Sequence, residues 1–351
     1  MGKYDITIFT IYAKGELENE LDKRIKLVHM YEKNYAELSK KEKMLNPLSI
    51  LFNKKKIFKK YIDSGKYDVQ IAFLEGAITR IFSVTSFNKA KKIAWIHNDI
   101  SKVFGKNIKA KLKRILDRNS YEKYDDLVFV SVDNLDKFNK TYDDMLLPHE
   151  KVINNYINKE RVLELANNQK ECDGVFDKKE VNLLQVSRLV EQKGIDRLID
   201  IHSKLIKQGI NHHIYIIGDG PEKQKLEKLI EDLKINNTFT LLGEKDNPYP
   251  YIKKADCLCL FSKFEGYGIV IDEAKILGKY ILATNTAARE ALLDYSDYST
   301  IVENSEEGIE KAIREFIKNR TKILKEKTDY IYTNSKIIDK IVKVIEEEGK
   351  K

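Results

Sequence analysis

The sequence predicts an α/β protein built from two doubly wound, parallel-sheet domains, and three observations carry that prediction. Short apolar runs alternate with helix-forming segments, the pattern of strands buried on both faces and joined by crossover helices. The alternation comes in two series separated by a connector at residues 152–168. At 351 residues the chain is long enough for two domains, each with its own core.

In the first series, residues 5–12 (D-I-T-I-F-T-I-Y) read as a strand and residues 15–51 as helical or irregular, with mixed charge and no site signal. A basic helix is expected over 54–62. Residues 67–74 (Y-D-V-Q-I-A-F-L) form the next buried strand, ending in Glu75-Gly76, with a helix from about Ala77. A strand at 93–96 leads into His97-Asn98-Asp99, a basic helix covers roughly 108–121, and a strand at 127–132 precedes a helix at 134–142. The second series opens with a strand at 181–187 (V-N-L-L-Q-V-S). Helix 195–208, strand 213–218, helix 222–234, strand 238–242, helix 250–255 and strand 257–261 follow, then strand 280–284 and helices at about 306–323 and 335–348. The expected domains are 1–172 and 173–330, with a last segment, 331–351, whose helix packs back on the first domain.

Composition narrows the function classes. Hydrophobic residues make up 42% of the chain, and three cysteines are too few for a disulfide framework. Cys257 and Cys259 share one face of their strand and read as core filler, no Cys/His cluster has zinc spacing, and no metal is expected. There is no secretory-signal pattern and no apolar run long enough to span a bilayer, so a reducing cytoplasm is the expected location, at the inner face of the membrane if the chain docks there. The net charge of +8 is concentrated in the first half, in residues 54–60 (K-K-K-I-F-K-K) and 102–114 (K-V-F-G-K-N-I-K-A-K-L-K-R). Basic residues interleaved with apolar ones suit an anionic membrane surface; the plainer reading is a solvated lysine-rich face. Nucleic acid would want the same charge, yet no helix-turn-helix, RNP or zinc-finger pattern accompanies it.

Chemistry concentrates in residues 261–274 (F-S-K-F-E-G-Y-G-I-V-I-D-E-A), where a buried strand ends, glycines Gly266 and Gly268 permit a tight turn, and a helix begins at Ile269-Val270. A helix opening at a glycine turn aims free amides and a positive dipole end at an anion such as phosphate. Glu265 and Glu273 bracket the turn, and ionised carboxylates pair naturally with the hydroxyls of ribose or a hexose. With 55 acids in 351 residues, two carboxylates at this spacing are common by chance; the glycines and the buried strand give the pair its weight. A second set of groups follows strand 181–187, where Arg188 and Lys193-Gly194 lie beyond the strand's carboxyl end. Two fixed cations there can stabilise a departing diphosphate without a metal. Gly218 (in G-D-G-P) and Gly243 likewise end strands. Tyr249 and Tyr251 could stack on a base, although packing is their plainer role.

The run 261–274 resembles the E-x7-E motif of family 4 (group 1) retaining glycosyltransferases of the GT-B fold, of the bacterial polysaccharide-biosynthesis type. So does the segment V-S-R-L-x-x-x-K-G-x-D-x-L-I around Arg188, followed in order by G-D-G-P and Ala288-Arg289-Glu290. The resemblance implies two Rossmann-like domains with a catalytic cleft between them, no cofactor, and a nucleotide-sugar donor, a UDP-sugar foremost. It implies that Arg188 and Lys193 hold the donor diphosphate together with Gly266, Gly268, Ile269 and Val270. Glu273 would then take the ribose, Glu265 the donor sugar, Gly218 and Gly243 the nucleotide's surroundings, His97 an active-site position near the sugar, and Glu75 the acceptor side. The implied reaction is metal-independent hexosyl transfer with retention onto a glycan or undecaprenyl-linked acceptor, as in capsule assembly.

The resemblance is specific over residues 181–290 and weaker before Glu150. The connector I-N-N-Y-I-N at 153–158 carries Tyr156 and Asn158 where the family's N-P-[IV]-D has Pro and Asp. The family pattern also places a strand and a Gly-Gly loop ahead of the equivalent of residues 3–7, so a first, central strand is expected to be missing. A rival reading follows: a truncated, non-catalytic nucleotide-sugar-binding or scaffold partner of a glycosyltransferase.

Overall fold

Strands and helices alternate as expected in a computed structural model that describes residues 3–103, 108–143, 148–176, 179–326 and 330–348. Contacts divide the chain into two units, one comprising Met1–Phe129, Lys137–Val152 and Val342–Lys351, the other Val130–Asp136 and Ile153–Ile341. The connector after residue 152 therefore groups with the second unit, earlier than the boundary expected at residue 173 from the two series of strands and helices.

The first unit holds β1 (Thr7–Tyr12), β2 (Lys26–Tyr31), α1 (Lys40–Tyr61), β3 (Val69–Ala72), α2 (Ala77–Phe82), β4 (Lys91–Ile96), α3 (Ile100–Val103), α4 (Ile108–Tyr121), β5 (Asp126–Phe129) and β6 (His149–Val152), with α5 (Val132–Thr141) beginning in the second unit. Strands β3-β4-β5-β6 make a parallel sheet whose centre is fully buried, every residue of β4 and β5 lying inside. Strands β1 and β2 form a separate parallel pair in which no residue is fully buried. Aromatic packing ties that pair to the helices, with Phe9 of β1 lying 5.8 Å from the Tyr61 ring and 6.3 Å from that of Phe82.

Two differences from the sequence reading have clear causes. Helix α1 starts at Lys40 rather than near residue 54. Ser39 and Glu42 form a reciprocal capping box at its start, and the helix runs through Pro47, a residue that ordinarily argues against a helix interior. Strand β2 fell in a stretch read as helical or irregular, and β6 in one given no element, just before the connector. Their sequences, K-L-V-H-M-Y and H-E-K-V, mix charge with apolar residues because neither strand is buried on both faces.

The second unit contains α6 (Lys159–Leu165), β7 (Asn182–Val186), α7 (Ile195–Lys207), β8 (His213–Ile217), α8 (Lys223–Asp232), β9 (Phe239–Gly243), α9 (Tyr249–Lys254), β10 (Cys257–Leu260), α10 (Ile269–Ile276), β11 (Tyr280–Thr284), β12 (Ser299–Val302), α11 (Glu306–Ile323) and most of α12 (Ser335–Glu346). Six parallel strands run in the order β12-β11-β10-β7-β8-β9. The first strand is central and the order reverses beside it, the doubly wound arrangement. Ile195, Leu198, Ile199 and Leu205 of α7 bury one face against Leu183, Ile214, Ile216 and Phe261, and Cys257 and Cys259 sit in the same core as apolar filler. Edge strand β12 (S-T-I-V) was not anticipated; it is short and half polar.

The end of the chain closes against the first unit's sheet. Buried Lys91 donates to the carbonyls of Val344 (2.6 Å) and Glu347 (2.9 Å) and pairs with Asp126 at 2.7 Å. An ammonium thus occupies the carbonyl end of α12, where the helix dipole favours a cation.

Candidate active site

The second unit's site is built where its strand order reverses, between β7 and β10. Ligands in open α/β sheets bind beyond the carboxyl ends of strands at that point. Strand β7 delivers Ser187, exposed Arg188 and the loop to Lys193; β10 delivers Phe261, Ser262, Glu265 and the glycine turn.

Backbone and side-chain bonds stitch the two loops together. Gln185, fully buried, donates to the Lys193 carbonyl at 3.2 Å and accepts from the Phe261 amide at 3.3 Å. Lys263 donates its amide to the Gln192 carbonyl at 2.8 Å, and Gln192 Nε2 donates to the Phe264 carbonyl at 3.0 Å. Lys193 Nζ consequently lies 2.5 Å from Glu265 Oε1, which also accepts from Ser262 Oγ at 2.6 Å. Two residues 72 apart in sequence, one expected at the diphosphate and one at the sugar, meet as an ion pair. Among the described residues the Arg188 guanidinium has no ion-pair partner.

The turn after β8 supports Arg188 from the other side. The Leu189 amide donates to the Asp219 carbonyl at 2.9 Å, and the Gly218 amide to the Gly243 carbonyl at 2.9 Å. Gly218 has φ +139°, and a Cβ there would stand 2.1 Å from the Ser187 carbonyl oxygen, so only glycine lets β7 and β8 end this close together. Gly268 (φ +88°) is the left-handed residue that opens α10 at exposed Ile269 and partly buried Val270, whose leading amides lack intrahelical acceptors, while the Ile271 amide donates to the Gly268 carbonyl at 2.9 Å. One turn into α10, Glu273 accepts from the Tyr249 hydroxyl at 3.1 Å. Burial pushes the Glu273 carboxyl above the usual range, opposed by that hydrogen bond. Tyr249 thus buttresses the carboxylate expected to take the ribose.

Two groups at this site were not singled out as functional by sequence. Ser131, two residues past the end of β5, is fully buried and donates to the Gly266 carbonyl at 2.7 Å. Glu290 accepts from the amides of Val132 (2.8 Å) and Asp133 (2.7 Å). Only the A-R-E string hinted at Glu290, and a serine ending a strand gives no signal by itself.

In the first unit, Glu75 and His97 come together at the carboxyl ends of β3 and β4. Glu75 Oε1 accepts from the amides of His97 (2.5 Å) and Asn98 (2.8 Å), and Oε2 from Asn98 Nδ2 at 3.1 Å. The carboxylate expected on the acceptor side is therefore engaged in shaping the turn that carries His97. The His97 ring packs edge-on against Phe73 at 4.7 Å, and its buried Nε2 has no partner among the described residues. Burial holds its pKa below the ordinary histidine value, against the Glu75 carboxylate and a hydrogen bond to Phe73. A neutral ring with a free nitrogen can accept from, or donate to, a substrate hydroxyl.

The fold is that of GT-B glycosyltransferases. HepE of Anabaena, solved in complex with UDP, is 16% identical with a TM-score of 0.68, over 97% of this chain and 91% of that one. Residues 168–336 match the family described as glycosyl transferases group 1. An uncharacterized glycosyltransferase of Methanocaldococcus jannaschii is 28% identical over 298 residues, covering 82% of this chain and 70% of the relative. The N-acetylgalactosamine-N,N'-diacetylbacillosaminyl-diphospho-undecaprenol 4-alpha-N-acetylgalactosaminyltransferase of Campylobacter jejuni is 25% identical, over 56% of this chain and 57% of its own. The chain thus shares the GT-B fold, and the matched stretch, residues 168–336, lies within its second unit. Among the described residues no helix is long and apolar enough to cross a membrane.

Proposed function

We propose that the protein transfers a hexosyl group from a nucleotide-sugar, UDP-linked in the first instance, to a lipid-linked glycan acceptor with retention, in surface polysaccharide synthesis. One observation carries the reading: Arg188, Lys193, Glu265 and the Gly266–Gly268 turn converge at the strand-order reversal of the second unit. In the reaction the bond from the sugar's anomeric carbon to the diphosphate oxygen breaks, and its electron pair stays on the phosphate. The acceptor oxygen bonds to that carbon on the same face and its proton passes to the departing phosphate. Arg188, Lys193 and the leading amides of α10, those of Ile269 and Val270, meet the developing charge. Glu273 takes the ribose hydroxyls and Glu265 those of the sugar, and His97 is the residue proposed to meet a hydroxyl of the sugar or the acceptor. No metal enters this scheme. The Campylobacter relative, named for an undecaprenol-linked acceptor, and the basic first half of the chain both favour a lipid-linked glycan.

Arg188→Ala tests the reading. Loss of charge-assisted hydrogen bonds should weaken nucleoside diphosphate binding by about 1.5–3 kcal/mol, measured by calorimetry against UDP, GDP and ADP. Transfer should survive a chelator. Unchanged affinity for every nucleotide that binds would remove the site assignment, and metal dependence would count against the mechanism.

A second reading, a chain that binds donor but does not transfer alone, is favoured by the divided sheet of the first unit. Strand β1 pairs only with β2, and β3 only with β4, among the described residues. One strand paired to both β1 and β3 would restore the usual doubly wound order. Robust transfer by the purified monomer would dismiss this reading.

A further inference from the structure

We propose that Ser131 is a positioning residue for the donor-phosphate turn and that Glu290 holds it in place; the proposal rests on the donor-site reading above. Ser131 is fully buried, and its hydroxyl is used twice. It donates to the Gly266 carbonyl at 2.7 Å and accepts from the Asn134 amide at 3.1 Å. The second bond is an N-cap interaction that makes Ser131 part of the first turn of α5. That turn is anchored in its own right: both Glu290 oxygens accept its leading amides, from Val132 and Asp133, and Arg289 Nη2 lies 3.4 Å from Asp133 Oδ1. A carboxylate spanning two amides at a helix N-terminus is a directional, dipole-favoured contact.

The consequence falls on the glycine turn. In a trans peptide the carbonyl and amide point to opposite sides of one plane. Holding the Gly266 carbonyl toward Ser131 therefore aims the Tyr267 amide away from it, one residue before Gly268 adopts φ +88° and releases the leading amides of α10, those of Ile269 and Val270. Gly266 leaves this peptide free to rotate on one side, and among the described residues the carbonyl's only side-chain bond is the one from Ser131. Neither Ser131 nor Glu290 need touch the ligand. They set the direction of amides that do.

The test is calorimetry of the full chain with UDP, run with GDP and ADP in parallel, well below the melting temperature. Losing one neutral hydrogen bond predicts roughly fivefold weaker binding for Ser131→Ala. Glu290→Gln keeps one acceptor oxygen and should give a smaller loss in the same direction. In steady-state transfer the donor KM should rise and the acceptor KM stay constant. A purely structural role would lower the melting temperature and leave the affinity of the folded protein untouched, which overturns the proposal. Should Ser131→Ala not fold, Glu290→Gln decides by the same criterion. Arg188→Ala separates the two levels. If it weakens UDP binding while the clamp variants do not, the clamp alone is wrong. If none of the three changes affinity, or the parent binds no nucleotide, the donor-site reading falls and the clamp with it.

Discussion

Replacing Lys193 by alanine should cost more stability than replacing its partner, and the structure gives the size of the difference. Glu265 is 5% exposed, and its Oε1 is shared by the Lys193 ammonium at 2.5 Å and the Ser262 hydroxyl at 2.6 Å. Lys193→Ala leaves a buried carboxylate with one neutral donor. Removing one partner of a buried pair costs about 3–5 kcal/mol. The Lys193 side chain is 16% exposed, so water can reach the vacated position, and about 2–3 kcal/mol is the better expectation. At roughly 2–4 °C per kcal/mol for a domain of about 150–250 residues, the melting temperature should fall by about 4–12 °C. Glu265→Gln retains an acceptor oxygen for Ser262 and leaves the ammonium partly hydrated, a loss of about 1 kcal/mol. The double variant has no charge left to strand and should melt above Lys193→Ala. Thermal unfolding of the three proteins completes the cycle. A double variant melting at or below Lys193→Ala would refute the argument, as would parent-like melting of Lys193→Ala. The same variants separate function from stability. Glu265→Gln should lower sugar transfer without weakening UDP binding, whereas Lys193→Ala should weaken UDP binding too.

The second unit was the more legible half because its signals are local. Strands buried on both faces are nearly all apolar, as in C-L-C-L, and each ends in a residue whose type betrays a turn or a charge. Arg188, Lys193, Glu265 and the glycines, whose roles came from the family resemblance, could therefore be placed at strand ends. Their pairing could not. That Lys193 meets Glu265 depends on β10 lying next to β7, a neighbour relation that skips two strands in sequence. Ser131 was illegible for the same reason, since its partner is 135 residues away and a buried serine looks like any other.

The first unit hid more. Strands β2 and β6 carry lysine and histidine at positions that a fully buried strand would fill with apolar residues, and Pro47 masks the first turns of a helix that capping and packing sustain. Glu75 was expected on the acceptor side, at the end of a strand. The turn it shapes is visible only when the His97 and Asn98 amides are seen converging on it. The basic run at 102–114 falls partly outside the described residues.

Three further predictions follow from particular contacts. Glu273→Gln should weaken nucleoside binding by roughly 1 kcal/mol and Tyr249→Phe by less, because the tyrosine only orients the carboxylate; calorimetry that finds the tyrosine change the larger would reverse their roles. Phe52 (80% exposed) lies two residues before the lysine run 54–56 and Phe87 (88% exposed) two before Lys89, so anionic vesicles should pellet the protein at low salt and release it at high salt. Equal recovery with neutral vesicles would leave this face as solvated lysine. The last prediction concerns acid. His202 Nδ1 bonds His212 Nε2 at 2.9 Å inside the second unit, and His213 stacks on Tyr215 at 4.0 Å. Burial lowers all three pKa values, His212 and His213 to about 4 and His202 to about 2. The unfolded chain takes up these protons near pH 6.5 while the folded rings stay neutral, so the stability they support is whole above pH 6.5 and is lost as pH falls toward 4. Each buried ring contributes up to about 3 kcal/mol to that loss. The carboxyls of Asp272 and Glu273, raised by burial, act in the opposite sense, and they are common to parent and variant. A His202→Gln/His212→Gln protein should therefore start less stable at pH 7.5 and lose less on acidification. Parallel melting-temperature curves for the two proteins between pH 7 and 4.5 would show that the histidines do not set the acid sensitivity.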